Sequence, residues 1–364
     1  MAEPRVLLSL HQGGGAGSVY AVLQLGLRLA RRGVAVHLVC PPDSEVERAA
    51  RAGGLEVHPV PLARGGRVGN AAVLRDLLAG LPVDLVNSHG SRDREALTWL
   101  RLTGRVQVPM IFTRQSFPRT TALETWLASL AATRVVAVSQ TVAEALRRLG
   151  TPARKLDVIR NGVLLDRLDR PVPEAEVREW KARIGWQPSR RTIAVVARPK
   201  DQMVVVQALA RVATPVSLVL AGLDGDLLSG TLPPVPARHV VVRLPFLADV
   251  RGLYELVELA LHPSRWDALP NAVLEAMALG KPVIASRATG NAEIVRDELD
   301  GLLVEPLDAA AWATAIDRVL GDPALASRLG TAAGRRALKD FPFERTVDET
   351  LALYRRTLAR AAPG

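Results

Sequence analysis

Short runs of aliphatic and β-branched residues alternate with longer stretches of helical spacing along the whole chain. In the first half the apolar runs fall at 6–10, 34–40, 55–60, 83–88, 110–113 and 135–139, with helical spacing at 19–32 and 122–131. The alternation then restarts, with runs at 192–197, 216–221, 240–243, 259–262, 283–286 and 302–304. Strands that are apolar at successive positions and joined by helices belong to parallel sheets covered on both faces. Two such series predict an α/β protein with two doubly wound, Rossmann-like parallel-sheet domains. Asp169-Arg170-Pro171-Val172-Pro173 interrupts the periodicity, so the boundary is expected within 166–173. That gives one domain over 1–165 and a second over 166–342. In the remaining segment, 343–364, a long helix carries Val347, Leu351, Tyr354 and Leu358 on one face.

Composition narrows this picture. The 364 residues suffice for two domains, and 48% hydrophobic with 23% charged residues is a globular balance that excludes wholesale disorder. A single cysteine, Cys40, excludes an intramolecular disulfide framework and a cysteine-based zinc site. The apolar run near the first residue is too short for a signal peptide, and no stretch approaches the ~20 apolar residues of a membrane-spanning helix.

The charge is uneven. Residues 1–165 hold 21 Lys and Arg against 12 Asp and Glu, whereas residues 166–364 hold 26 against 25, so the first half carries nearly all of the net +10. Such asymmetry points to an anionic partner: a phosphorylated substrate, an acidic membrane surface or nucleic acid. The competing reading is an arginine-rich surface, since only five of the 47 basic residues are Lys. Aromatic residues are 4% and do not interleave with basic ones, which argues against nucleic acid. Arg28, Arg31, Arg32, Arg64, Arg67, Arg92, Arg94, Arg101 and Arg105 lie outside the predicted strands, so many of them are expected at the surface, where an anionic membrane would meet them.

Open parallel sheets bind ligands beyond the carboxyl ends of their strands, so the loops that follow strands carry the chemistry. After the first strand comes Gly13-Gly14-Gly15-Ala16-Gly17-Ser18. Glycines here let the backbone approach a phosphate at a helix N-terminus, or simply make a tight turn. The loop lacks the glycine spacing of a dinucleotide fingerprint and the Gly-Lys-Ser/Thr ending of a P-loop. His89 ends the fourth strand, a position that lifts it above the other five histidines. Arg198 and Lys200 directly follow a strand of the second half, where two cations suit a diphosphate and equally suit a solvated loop. The richest segment runs from Asp267 to Gly280. Pro270 suits a first helical turn and Gly280 a C-terminal cap. Asn271 and Glu275, four apart, share a face. Free amides at Asn271 and Ala272 can receive phosphate while Glu275 accepts hydrogen bonds from ribose hydroxyls; the plain alternative is a capped helix with one acidic residue.

These segments together resemble the retaining nucleotide-sugar glycosyltransferases of glycosyltransferase family 4, which have the GT-B fold. That family carries an acidic residue, seven residues and then Glu, usually within Glu-Gly-(Leu/Phe)-Pro-Asn-x-x-Leu-Glu-Ala-Met-Ala; Asp267 to Ala278 stand in that register. Leu261-His262-Pro263-Ser264 before it also fit, as do Gly280-Lys281-Pro282-Val283-Ile284-Ala285-Ser286, Gly290-Asn291-Ala292-Glu293-Ile294-Val295 and Gly301-Leu302-Leu303-Val304 after it. Val138-Ser139 and Val158-Ile159-Arg160-Asn161-Gly162-Val163 look like the family's interdomain segment. The resemblance spans roughly residues 5 to 358.

The resemblance implies a nucleotide-sugar donor domain over 166–342, an acceptor-side domain over 1–165, and a helix at 343–364 returning to the latter. It assigns Arg198 and Lys200 to the donor diphosphate, Glu275 to the ribose, Asp267 to hydroxyls of the transferred sugar, and His89 to the donor sugar and acceptor. Gly14, Gly15, Leu269, Asn271 and Ala272 join the donor-binding set, and Arg114 and Gln115 face the acceptor. No metal and no resident cofactor are expected. Three departures stand out: Asp267 replaces the usual Glu, the two basic residues are closer than usual, and Thr113-Arg114-Gln115 replaces a Thr-x-His segment. The implied reaction moves a sugar from a nucleoside diphosphate to a glycolipid or polysaccharide acceptor with retention, in the cytoplasm, peripherally at the inner membrane face. A non-catalytic nucleotide or acidic-polymer binder and a sugar-nucleotide epimerase are the alternatives.

Overall fold

The computed structural model describes residues 3–14, 17–168, 170–247 and 249–361. Among these residues thirteen strands form: β1 (Arg5–Ser9), β2 (Ala35–Cys40), β3 (Glu56–Pro59), β4 (Leu85–Ser88), β5 (Met110–Arg114), β6 (Arg134–Ala137), β7 (Leu156–Val158), β8 (Arg191–Val196), β9 (Val216–Ala221), β10 (Val240–Leu244), β11 (Leu259–His262), β12 (Val283–Ser286) and β13 (Leu302–Val304). They make two sheets with the orders β3-β2-β1-β4-β5-β6-β7 and β10-β9-β8-β11-β12-β13. All strand pairs are parallel. The apolar runs locate these strands to within a residue or two at each end. β7 is the exception. Its Leu-Asp-Val sequence holds only three residues, all half-buried, and its Asp157 pairs with Arg134 on β6, so no apolar run marks it.

The central strands are buried at every position, as in β4, β9 and β12. Aliphatic side chains on both faces then meet helices on both sides, the arrangement that continuous apolar runs require. In the second sheet the side of β8 and β9 that carries Ile193 and Leu218 is covered by a cluster that includes Val205, Leu209, Trp312 and Ile316.

The chain divides into two compact units, Met1–Asn161 with Glu344–Gly364, and Gly162–Phe343. The helix Phe343–Ala361 therefore closes the first unit. Its Tyr354 is buried there and accepts a hydrogen bond from Asn87 on β4 at 2.7 Å. Thr346 donates to the Arg160 carbonyl at 2.7 Å. The chain's outgoing and returning strands pass side by side, with Val163 N–H bonded to Phe341 O at 2.8 Å and Phe343 N–H to Val163 O at 3.0 Å. Gly162 allows this passage, because a Cβ there would lie 2.5 Å from the Phe343 nitrogen.

The arginines expected at the surface are not all exposed. Arg28 and Arg94 are buried. Arg28 reaches Glu344 at 2.7 Å, and Arg32 also pairs with Glu344 and Asp348. A position outside a strand can still lie on the inner face of a helix, and these do. Among the described residues no helix is long and apolar enough to cross a membrane.

Candidate functional site

In both sheets strand order reverses at one place, between β1 and β4 and between β8 and β11. Loops leaving neighbouring strands in opposite directions open a crevice there, which makes it the expected ligand position. The selected residues fall at these two places.

In the second unit, β8 leads into Arg198 and Lys200, and β11 leads into Asp267. The loop after β8 is held from within by Gln202, whose buried amide donates to the Arg198 carbonyl at 2.7 Å. The two loops are latched together. Arg265 donates to Asp201 from its backbone at 2.9 Å and from its guanidinium at 3.1 Å. Lys200 Nζ donates to Asp267 Oδ2, and His262 Nε2 donates to the same oxygen at 2.9 Å. The loop after β12 supports Asp267 from the other side: Asp267 N–H donates to Thr289 Oγ1 at 3.1 Å and Gly290 N–H to the Asp267 carbonyl at 2.8 Å. Burial would push the Asp267 carboxyl up, but the His262 hydrogen bond and the His262 and Lys200 charges outweigh it and hold the carboxyl far below the usual range. Asp267 is thus a fixed, ionised acceptor. Arg198 is exposed on the same loop.

The helix Asn271–Ala278 starts beside this cluster. Pro270 is its N-cap in extended conformation rather than its first turn, and Gly280 follows its end at φ +68. Leu269 is buried. Asn271 and Ala272 are half-buried, and the Asn271 Oδ1 atom is buried without a hydrogen-bond partner. Glu275, half-buried one turn in, lies close enough to buried Tyr254 to raise the phenol's pKa together with burial, the larger cause.

In the first unit, Gly14 sits exposed on the loop after β1, and Gly15 lies outside the described residues. His89 follows β4, its N–H bonded to Ser9 O at 2.9 Å. Asn161 Nδ2 donates to Gln115 Oε1 at 2.9 Å, which orients the amide so that Gln115 Nε2 donates to His89 Nδ1 at 3.3 Å. His89 therefore carries its proton on Nε2, a buried atom with no hydrogen-bond partner among the described residues. Burial, opposed by Asp93, pulls its pKa down to about 4, so the ring is neutral at pH 7. Beneath it, buried Asp93 accepts from Ser88 Oγ at 2.7 Å, Ser9 Oγ at 2.8 Å and Gly90 N–H at 3.1 Å. Arg114 ends β5. It is buried, makes no side-chain hydrogen bond among the described residues, and is pulled down to about 9 by burial and by Arg94. Arg94 is itself buried, donating to the Gly90 carbonyl at 2.8 Å.

The structure thus brings Lys200 directly onto Asp267 and Gln115 onto His89. Sequence reasoning missed His262, Asp93, Arg94 and Asn161 as partners of those residues. His262 alone had a readable signal, as the last residue of a strand five positions before the acid.

Two family models match the chain: Glycosyltransferase Family 4 over residues 15–167 and Glycosyl transferases group 1 over residues 190–322. The chain belongs to glycosyltransferase family 4. Among curated relatives of this family 4 enzyme is the D-inositol 3-phosphate glycosyltransferase of Mycobacterium marinum, 29% identical over 96% of this chain and 83% of the relative. Anabaena HepE, solved with UDP and glucose, superposes with a TM-score of 0.82 at 18% identity, covering 97% of this chain and all of HepE. WaaG, a glycosyltransferase of lipopolysaccharide biosynthesis, gives 0.70 at 16% identity, covering 96% and 99%. These likenesses give the enzyme the GT-B fold.

Proposed function

We propose that this enzyme transfers a hexosyl unit, glucose or a relative, from a uridine diphosphate sugar to an anionic acceptor with retention of configuration. The observation that carries the donor half is the Lys200–Asp267–His262 cluster beside the helix that bears Glu275. Glu275 accepts the ribose hydroxyls, and the amides at Asn271 and Ala272 take the diphosphate. Asp267, held ionised, accepts hydrogen bonds from the sugar, a role its shorter side chain fills because three loops bring it forward. Lys200 turns from Asp267 to the diphosphate as the donor arrives, and with Arg198 stabilises the charge that grows on the leaving group. The structure of HepE with UDP-glucose supports the choice of donor.

The acceptor half rests on the first unit. His89, neutral with its proton on Nε2, donates a hydrogen bond rather than acting as a base at that atom. Buried Arg114 favours an acceptor that carries phosphate or carboxylate, since Arg94 has Asp93 and Glu95 near it whereas Arg114 meets burial and the Arg94 charge alone, a costly place for a cation. The M. marinum relative, named for a phosphorylated polyol, fits this chemistry, as does a glycolipid or polysaccharide precursor with a phosphate. A glycolipid acceptor would bring exposed Arg31, Arg64 and Arg105 to an anionic membrane surface.

Calorimetry with UDP and a screen of nucleotide sugars test the donor half. Glu275→Ala should weaken UDP binding about tenfold or more, and Lys200→Ala should lower turnover by about 10²-fold while leaving UDP affinity closer to wild type. UDP binding equal in wild type and Glu275→Ala would overturn the ribose assignment.

A further inference from the structure

Away from both loop clusters, three side chains converge on one face of the first sheet at its β3 edge. His37 lies on β2, and Glu56 and His58 lie two apart on β3. The parallel register sets His37 opposite Glu56 and Val39 opposite His58, so period-two alternation turns all three side chains to the same face. His37 Nδ1 lies 3.2 Å from His58 Nε2. The Glu56 carboxylate sets one oxygen 3.3 Å from His37 Nδ1 and the other 3.5 Å from His58 Nε2. Among the described residues, these three form a group whose ligand atoms are close enough to share one cation.

We propose that His37, Glu56 and His58 bind a divalent first-row transition cation, zinc by the chemistry of the set. Ligand atoms about 2.0–2.1 Å from a tetrahedral zinc ion lie roughly 3.3 Å from one another. The two imidazole nitrogens, 3.2 Å apart, match that spacing, and the Glu56 carboxylate, 3.3 Å from one ring and 3.5 Å from the other through its two different oxygens, stands where it can supply the third ligand. Hydrogen bonding alone explains them less well. Each neutral imidazole presents one proton, and a proton shared by His37 Nδ1 and His58 Nε2 leaves at least one carboxylate contact without a donor.

Two imidazoles and a carboxylate are borderline ligands suited to zinc, with copper and nickel also accommodated by such sets. Glu56 is 62% exposed, which gives the ion an entry path, while His37 is 8% and His58 17% exposed. A water completes the fourth position. The ion would clasp β3, a four-residue strand at the sheet's edge, to β2. The site is independent of the glycosyl-transfer reading.

The test uses the full chain, stripped with a chelator and titrated with zinc against a chromophoric competitor, with thermal unfolding followed in parallel. Wild type should take up one equivalent and unfold at higher temperature with zinc than without. Cobalt in place of zinc should give the intense visible bands of a four-coordinate site. Glu56→Gln, at an exposed position that does not threaten folding, and His58→Gln should each weaken binding by about tenfold or more. Wild type that takes up no stoichiometric zinc, or uptake unchanged in both variants, would overturn the proposal.

Discussion

At the scale of single residues, protonation distinguishes the candidate residues of the two units. Asp267 is kept ionised by His262 and Lys200, whereas His89 is kept neutral by burial. The unfolded imidazole titrates near 6.5 and the folded one at about 4, so between those values the unfolded chain binds the additional proton. Stability therefore falls as pH drops from 7.5 to 5, by about 2 kcal/mol from this residue. Urea unfolding should show that His89→Asn flattens the pH dependence by this amount; an unaltered slope would mean the ring is not held neutral. Arg114 gives a second prediction. Among the described residues its buried guanidinium has no hydrogen-bond partner, so Arg114→Met should raise stability without ligand by at least about 1 kcal/mol while impairing turnover with an anionic acceptor. A comparable loss of stability would show that the protein itself satisfies Arg114, and would remove the argument for acceptor charge.

Elements position these residues through close backbone approaches. The helix Pro323–Asp340 crosses the end of the donor helix at Gly330, where a Cβ would stand 2.2 Å from the Gly280 carbonyl oxygen. No side-chain rotation relieves that clash. Gly330→Ala should therefore cost about 1–3 kcal/mol and weaken UDP binding several-fold by displacing the helix that holds Glu275. Measured by denaturation and calorimetry, unchanged values for both would show that the helices separate freely. The strands that carry the site were legible in the sequence because continuous apolar runs such as Val216–Ala221 admit few other structures. The helix Asn271–Ala278 was legible from spacing together with Pro270 and Gly280. What escaped were contacts between segments far apart in sequence. No local pattern says that Arg265 will latch Asp201, that Asn161 will orient Gln115, or that Arg94 on a helix will turn inward beside Arg114. The His37–Glu56–His58 group escaped for the same reason, since only strand register brings β2 and β3 together.

Across the whole molecule, the surroundings of His89 depend on a helix found far along the chain. Tyr354 accepts from Asn87, Asn87 Oδ1 accepts from Thr113 Oγ1 at 2.8 Å, and His89 lies two residues beyond Asn87. Tyr354→Phe keeps the ring and strands the Asn87 amide donor in a buried place, a loss of about 1–3 kcal/mol. Turnover should fall with it, while UDP affinity, which the proposed function assigns to the second unit, should not change. Equal effects on UDP binding would count against separate roles for the two units.

The route of the chain carries a consequence for the order in which the protein is made. The second unit is one uninterrupted stretch, Gly162–Phe343, whereas the first needs residues from both sides of it. On the ribosome, the seven-stranded sheet emerges early yet waits for the helix Phe343–Ala361 to cover Tyr354's place against Asn87. Domains that are continuous can fold as they appear. The second unit, though synthesised later, is then complete first, and the nascent first unit stands with an uncovered apolar face for the whole time of its partner's translation. Chaperone demand should accordingly track the length of that wait.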